Sequence, residues 1–474
     1  MIERLSSDSR RCAPGIGFFA YPGTAADGRD HIPEAIARGA AAVVWEQEGF
    51  SWRPEWRLPN APVAGLKTQA GSLAHAFYAR PSDSLWVCGV TGTNGKTSCT
   101  QWLAAALSAR GERAGVIGTL GSGYPGDLLE ANNTTPDALE LHRMLSEFRA
   151  SGAKAVAIEV SSHGLEQGRA NGVRFACALF TNLTRDHLDY HGSMAAYAAS
   201  KERLFDFQGL ETAVLNVDDP LGAQLAKRLG ARGQRTIAYG ISAEAASKAA
   251  AEFIAARAIF PDRIQIASSW GDAEAEFRQL GRFNVANALG VVGCLVAYGV
   301  PLADAARALE SLPDVPGRMQ RFGGDGSPLA VVDYAHSPDA LDNALRALRP
   351  LARARGGRLI AVFGAGGERD PGKRPIMGEI AARLADRVIV TSDNPRGEDP
   401  AAIIAAIRAG AARPVDAEPD RTKAIAAAIA EATDRDVVLV AGKGHETTQE
   451  MAGRTLPYSD RAAVEAALRR RSPQ

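Results

Sequence analysis

Apolar residues along this chain come in short continuous runs. "LWVCGV", "AGVIGT", "AVAIEV", "ACALFTN" and "TAVLNVD" follow one another between residues 85 and 218, separated by stretches with helical spacing. A second series, "LAVVDYA", "LIAVFGAGG", "DRVIVTSDN" and "DVVLVAGKG", lies between residues 329 and 444. Continuous β-branched runs alternating with helices are the pattern of parallel strands covered on both faces. Upstream, "GIGFFAY" and "AAVVWE" flank a helical segment, "HIPEAIARGA". Turn clusters at residues 80–84 ("RPSDS") and 311–318 ("SLPDVPGR") punctuate the chain. The pattern predicts an α/β protein of three domains: a small N-terminal α/β domain (1–82), a central parallel-sheet domain (83–314) and a C-terminal Rossmann-like domain (315–474). There is no short-period repeat and no low-complexity tract.

A length of 474 residues exceeds a single hydrophobic core. The 54 basic and 54 acidic residues cancel, which argues against a nucleic-acid or polybasic membrane role. No apolar run approaches membrane-spanning length, and "MIERLSSDSRR" lacks the apolar core of a signal peptide. Cys12, Cys88, Cys99, Cys177 and Cys294 have no metal-like spacing. They read as reduced, mostly buried thiols of a cytoplasmic protein. Only nine of the 54 basic residues are lysines, so a lysine stands out where arginine fills nearly every ordinary surface position.

Ligands of doubly wound sheets bind beyond the C-terminal ends of strands, and polar clusters follow the strands here. After "LWVCGV" comes "TGTNGKT", Thr91 to Thr97, a Gly-rich turn running into a helical pattern. Gly92 and Gly95 let successive N–H groups turn inward toward a polyphosphate, Lys96 reaches its outer phosphates, and Thr97 offers a hydroxyl to Mg²⁺. The match is a variant, because Val90 stands where the strict pattern has its first glycine. Glu159 ends a strand where a metal carboxylate is expected, since Mg²⁺ needs hard oxygen ligands. His187 is a less usual ligand, imidazole suiting softer metals. Lys201 sits in "SMAAYAASKERLF", and a retained primary amine in a lysine-poor chain suggests amine chemistry. "GAGGERD" is a weak dinucleotide match because Arg369 replaces the third glycine; Arg369 and Arg396 read better as planar forks for substrate carboxylates. Whether the phosphate serves hydrolysis, transfer to a hydroxyl or activation stays open on these residues alone.

The motifs "TGTNGKT", "EVSSHGLEQGR", "FTNLTRDHLDYHG", "AASKERLF", "GRFNVANALG", "VPGRMQRF", "VVDYAHSPDAL", "GGERDPGKRPIMG", "SDNPRGEDP" and "AGKGHE" resemble, in this order, those of the Mur ligases. The resemblance runs over residues 8–461 and is narrowest to the branch that adds meso-diaminopimelate. It implies an ATP-dependent, ADP-forming ligase acting on UDP-N-acetylmuramoyl-L-alanyl-D-glutamate in peptidoglycan precursor synthesis. ATP would phosphorylate a carboxylate to an acyl phosphate, and the amine of meso-diaminopimelate would displace the phosphate. By resemblance, Thr91, Gly92, Thr93, Asn94, Gly95, Lys96 and Thr97 hold the ATP phosphates, and Asn284 and Arg318 lie on the adenosine side with Asp333 and His336 nearby. Thr97, Glu159, His187 and Lys201 bind Mg²⁺, with Lys201 carbamylated by CO₂. Ser9 contacts the uridine diphosphate, while Asn133, Thr134, Thr135, Ser161, Gln167 and Arg169 hold the muramoyl dipeptide. Arg369, Asp393, Asn394, Pro395, Arg396, Gly442 and Glu446 form the amino-acid pocket. One departure is Thr24 in "GTAADGR", where the family often has His. The implied protein is a monomer with no nucleic-acid partner and no membrane insertion.

The rival readings are the L-lysine-adding relative, folylpolyglutamate synthase, the enzymes adding D-glutamate or the terminal dipeptide, and, from another class, a P-loop GTPase or kinase. The first domain and "DNPR" argue against the other ligases. An Asn-Lys-x-Asp guanine motif is missing from the sequence, and a kinase has no need of a C-terminal domain with convergent arginines.

Overall fold

A computed structural model of the chain describes residues 1–23, 26–131 and 133–471; Thr24 lies outside them. Three helix-flanked sheets make up the α/β architecture. In the first, Arg4–Ser6, Ile16–Ala20, Ala42–Glu46 and Asn60–Val63 run parallel in chain order. Helix Leu66–Phe77 follows and packs on helix Ala138–Ala150 of the next unit.

The second sheet has eleven strands, seven of them parallel: Glu252–Ile259, Arg235–Gly240, Thr212–Asn216, Cys177–Phe180, Trp86–Thr91, Ala155–Glu159 and Ala114–Gly118. From Trp86–Thr91 the chain passes through helix Lys96–Ala109 to Ala114–Gly118, two positions away, inserts Ala155–Glu159 between them, then crosses to the other side of Trp86–Thr91 as Cys177–Phe180. That reversal opens a crevice beyond the end of Trp86–Thr91. Val87, Val156, Ile158 and Phe180 fill the core on one face, and Cys88, Val90, Leu103 and Leu289 that on the other. The runs "LWVCGV" to "TAVLNVD" are therefore buried on both faces, as their composition requires. The sheet is not wholly parallel, however. Gly121–Tyr124 and Asp127–Leu129 extend one edge in antiparallel fashion, and Arg263–Ser268 and Gly271–Glu276 extend the other. These edge strands are partly solvated and lack the apolar signal of the centre.

The third sheet has the order Gln320–Gly323, Leu329–Asp333, Val437–Ala441, Leu359–Phe363, Arg387–Val390, Asp416–Ala417, and all but the first strand are parallel. Helices Pro338–Ala354 and Lys373–Leu384 cover one face, and Arg421–Glu431 and Asp460–Arg471 the other. A hairpin, Thr448–Met451 with Arg454–Pro457, folds back so that Met451 bridges Arg396. All five cysteines are buried and unpaired; the sulfurs of Cys88 and Cys177 lie 3.8 and 4.0 Å from that of Cys294. Among the described residues no helix is long and apolar enough to cross a membrane.

Candidate functional site

The Gly-rich turn sits at the sheet reversal. Gly92 (φ +149°) passes so close to the next strand end that a Cβ would lie 1.9 Å from Thr181 Oγ1, and Gly95 (φ +88°) presses equally on Asn287. No other residue fits either position. The loop is tied down from the neighbouring strand: Asn182 O accepts from Thr93 N at 2.8 Å, Asn182 Oδ1 accepts from Asn94 N at 2.9 Å, and Thr181 Oγ1 donates to Asn94 O at 2.6 Å. Thr91 is fully buried beneath it. Lys96 folds over the turn and donates to Gly92 O and Thr93 O, both at 2.9 Å. Asn284 and Asn287, on helix Arg282–Tyr298, are linked to each other at 3.4 Å behind Gly95.

Glu159 is buried at the end of the adjacent strand. Its carboxylate accepts from Thr97 Oγ1 at 3.0 Å, Thr119 N at 2.8 Å and Thr119 Oγ1 at 3.0 Å. A hydroxyl and a carboxylate side by side are a hard-oxygen pair of the kind Mg²⁺ takes. Lys201 is buried on the other side of the turn, donating to Gly92 O at 2.8 Å with its Nζ 4.3 Å from the Tyr197 ring centroid. Burial holds this amine well below the usual lysine range, and the charge of Lys96 adds to the effect. Two ammonium groups thus converge on one carbonyl oxygen with no carboxylate bonded to Lys201. His187 takes a left-handed backbone (φ +53°) at the start of Leu188–His191. Desolvation pushes its imidazole below the ordinary range, although 42 % of the side chain remains accessible; the neutral ring is the metal-binding form.

A second group lies along the loop before Ala138–Ala150. Thr135 Oγ1 donates to Glu159 O at 2.8 Å and accepts from Ser161 N at 3.0 Å. Arg169 donates to Thr135 O at 2.9 Å and grips Gln167 Oε1 through Nε and Nη2. Thr134 meets Thr119 at 3.0 Å. Thr134, Thr135, Ser161, Gln167 and Arg169 therefore form one connected patch beside Glu159, with Asn133 exposed next to it. Ser9 is apart from them, its hydroxyl bonded to Glu34 at 2.7 Å.

The third sheet presents its strand ends to the same crevice. Arg318 donates to Thr97 Oγ1 at 3.1 Å and stacks 4.4 Å from the Tyr334 ring centroid. Asp333 accepts from Met319 N and Ala335 N at 2.8 and 2.9 Å, so it shapes the Arg318 turn. His336 stands 3.5 Å from Asp186. Between them lies a cleft of about 130 Å³, bordered by Asp186 and His187 from the central unit and by Asp393, Arg396, Gly442 and Glu446 from the C-terminal one. One buried oxygen, Asp393 Oδ2, has no partner there, which suits a ligand's ammonium. Arg396 is also left-handed (φ +53°), a strained conformation. Glu450 O accepts from its N–H at 3.1 Å, Gly367 O from Nη1 at 2.7 Å, and Glu450 Oε2 lies 3.1 Å from Nε. The guanidinium is thus engaged through Nη1 and Nε, leaving Nη2 without a protein partner among the described residues. Gly367 in turn packs against Pro395, where a Cβ would lie 2.0 Å from the Pro395 oxygen. Two ion pairs cross the cleft, Arg185–Asp370 at 3.0 Å and Asp189–Arg369 at 3.7 Å. A larger depression along 408–415 carries no comparable chemistry, since Arg413 is used up on Ala382 O and Ala385 O.

The sequence reading passed over several residues at the cleft. Thr119 follows a strand end, a signal that was there to use. Lys373 and Lys443 are, with Lys201, the three buried lysines; Lys373 lines the cleft and Lys443 lies under it, so lysine scarcity pointed at them too.

Comparison with known proteins follows the same three-part division. "Mur ligase family, catalytic domain" matches residues 1–78, "Mur ligase middle domain" residues 90–295, and "Mur ligase, glutamate ligase domain" residues 317–444. The UDP-N-acetylmuramoyl-L-alanyl-D-glutamate–2,6-diaminopimelate ligase of Chromobacterium violaceum is 49 % identical over 470 residues, 98 % of this chain and 94 % of the relative. The protein of that name in Ralstonia nicotianae is 51 % identical over 477 residues, covering 98 % and 92 %. A solved structure of a ligase of the same name superposes with a TM-score of 0.68 at 34 % identity, over 99 % of this chain and 95 % of that one. With the phosphate loop, the carboxylate beside it and the opposed C-terminal cleft in one crevice, the chain belongs to the Mur ligase family.

Proposed function

We propose that the protein is the ATP-dependent, ADP-forming ligase that joins meso-diaminopimelate to UDP-N-acetylmuramoyl-L-alanyl-D-glutamate, in the cytoplasm and as a monomer, for peptidoglycan precursor synthesis. The observation that carries the reading is the opposition of two unlike half-sites. A phosphate loop with Lys96 and Glu159 faces a C-terminal cleft holding an unpartnered Nη2 on Arg396 and an unpartnered oxygen on Asp393. A hydrolase or kinase has no use for the second half. The units we assign are 1–82 for the uridine diphosphate sugar, 83–314 for ATP and 315–474 for the amino acid.

A free carboxylate is a poor electrophile. Transfer of the γ-phosphoryl group to it gives ADP and an acyl phosphate. Attack by the substrate amine on that carbonyl, with loss of a proton, forms the amide and expels phosphate. The residues of Thr91–Thr97 cradle the polyphosphate through backbone N–H groups, and Lys96 swings from Gly92 O and Thr93 O onto it. Asn284 and Arg318 take the adenosine side, with Asp333 and His336 supporting them. Thr134, Thr135, Ser161, Gln167 and Arg169, with Asn133, hold the dipeptide carboxylate near Glu159. Ser9 serves the uridine diphosphate end.

Thr97, Glu159 and His187 would hold Mg²⁺, which supplies positive charge between the phosphates. Lys201 fits as its fourth partner once CO₂ adds to the amine, giving a carbamate and a proton. An amine kept below the usual lysine range is nucleophilic, and the anion formed relieves its clash with Lys96. Asp393, Glu446 and the Gly442 carbonyl face the ammonium groups of the amino acid, while Arg396, helped by Asn394, Pro395 and Arg369, faces its far carboxylate. The test is phosphate release from ATP. It should need both the muramoyl dipeptide and meso-diaminopimelate; release that ignores either one defeats the reading.

A further inference from the structure

Lys443 is fully buried, in a chain that uses lysine sparingly. A buried ammonium is unfavourable unless it is paired, and a packing role there would suit Leu or Met. Its Nζ donates to Glu446 Oε2 at 2.6 Å and to Asn394 Oδ1 at 2.8 Å. Asn394 Nδ2 donates to the same Glu446 oxygen at 2.9 Å, and Glu450 N donates to the same Asn394 oxygen at 3.0 Å. The three side chains therefore close a ring. Within it, Glu446 Oε2 and Asn394 Oδ1 each take two bonds. What is left over is Glu446 Oε1 and one N–H of Asn394, on residues that line the cleft, whereas Lys443 lies beneath them.

We propose that Lys443 is a positioning residue for the amino-acid substrate: its ammonium fixes the Glu446 carboxylate, through Asn394, to receive the ammonium at the substrate's far end. This rests on the reading that the cleft takes a diamino acid. It divides the work of recognition. Arg396 reads the far carboxylate, which L-lysine lacks; Glu446 on its Lys443 support reads the far ammonium, which L-lysine shares.

Lys443→Met and Lys443→Gln test this. In both, Glu446 Oε2 keeps Asn394 Nδ2 and Asn394 Oδ1 keeps Glu450 N, so neither oxygen is orphaned. With the other substrates saturating, the KM for meso-diaminopimelate should rise about 10- to 100-fold, the loss expected for a charge-assisted hydrogen bond. The KM values for ATP and muramoyl dipeptide, and kcat, should stay near wild type. The preference for meso-diaminopimelate over L-lysine should not change, because both substrates use Glu446; a structural defect has no reason to spare that ratio and the ATP KM together. An unmoved KM for meso-diaminopimelate, a parallel loss for all three substrates, or failure of both variants to fold overturns the proposal. Wild-type protein that does not turn over meso-diaminopimelate overturns the underlying reading as well, which separates the two failures.

Discussion

Val315 and Met319 are near neighbours in the chain, yet Val315 is buried in the core of the central sheet and Met319 in that of the C-terminal sheet. The passage between the units is therefore Pro316, Gly317 and Arg318. Upstream it is tied by Trp102 Nε1 donating to Pro313 O at 3.0 Å. Arg318, within the passage, reaches Thr97 in the phosphate loop.

Gly317 is the residue on which this pivot turns. Its φ is +65°, and a Cβ would lie 2.2 Å from His445 N. Gly317→Ala should leave both cores folded by circular dichroism while preventing the C-terminal unit from seating. Reacting atoms must come within about 3–3.5 Å, so activity should fall by more than about ten-fold. In small-angle scattering, wild type should compact when all ligands are present and the variant should not. An unchanged radius for wild type counts against a moving pivot.

Lys201 carries a chemical prediction. Lys201→Ala should abolish most activity without unfolding, and formate or acetate should restore part of it by supplying a carboxylate. Bicarbonate should not. Lys201→Arg should also be inactive, because a guanidinium does not form the carbamate. Normal turnover by the Arg variant would sink the assignment.

Arg396 should set the amino-acid preference. Arg396→Ala should raise the KM for meso-diaminopimelate strongly and leave those for ATP and the muramoyl dipeptide near wild type. In wild type, preference over L-lysine on the order of 10⁴-fold is expected for a site that loses a buried polar partner. Glu450 tempers this, since it stays near Nε when lysine is present. Equal use of the two amino acids by wild type refutes the assignment.

Acid should loosen the seat of helix Leu66–Phe77 on helix Ala138–Ala150. His142, on Ala138–Ala150, is fully buried with Nε2 2.9 Å from Asn171 O, and burial pushes its imidazole down to about 4. His75, on Leu66–Phe77, faces it at 5.1 Å and is also lowered by burial, against the pull of Asp83 and with Arg80 nearby. The unfolded chain binds a proton below pH about 6.5 that the native His142 refuses until about 4, so stability falls as pH falls through that window. The loss approaches about 3 kcal/mol for His142 alone. Melting temperatures of wild type and His142→Phe should diverge between those pH values, wild type falling faster; parallel curves refute it.

The cysteines should be silent. All five are buried, and buried apolar thiols are inert. A thiol reagent should titrate none in the native protein and five after denaturation. Rapid native labelling would contradict the packing around Cys88, Cys177 and Cys294.

The parallel strands were legible because burial on both faces demands continuous β-branched runs, as at Val437–Ala441. Edge strands answer to no such demand. Gly271–Glu276 alternates, but its inward residues are only the small Ala273 and Ala275, and Gly121–Tyr124 is half glycine, so neither carries a strong apolar signal. The hairpin Thr448–Pro457 has little apolar pattern, and much of its hold on Asn394 and Arg396 is through the backbone of Glu450 and Ala452, beside the Glu450 carboxylate near Arg396. The backbone contacts leave no mark on side-chain identity. Within the site, Glu159 was legible because it ends a strand, Lys96 because it closes a Gly-rich turn at a helix start, and Lys201 because it is a lysine on a helix of an arginine-rich chain. The ring of Lys443, Asn394 and Glu446 was not, because it closes between segments about 50 residues apart.

The two ion pairs across the cleft run in opposite senses. The central unit offers Arg185 to Asp370 and Asp189 to Arg369. Their outer members are about half exposed, so each pair contributes only about 0–1 kcal/mol. Strength is not what the arrangement provides. A slide of one unit along the other would set arginine against arginine or, in the other direction, aspartate against aspartate, so the charges act as a key cut for a single alignment. Reversing the charge of one member of a pair should spoil docking more than neutralising it, and reversing both members of that pair should restore it. The fidelity of closure, unlike its affinity, then resides in four weakly held side chains at the rim.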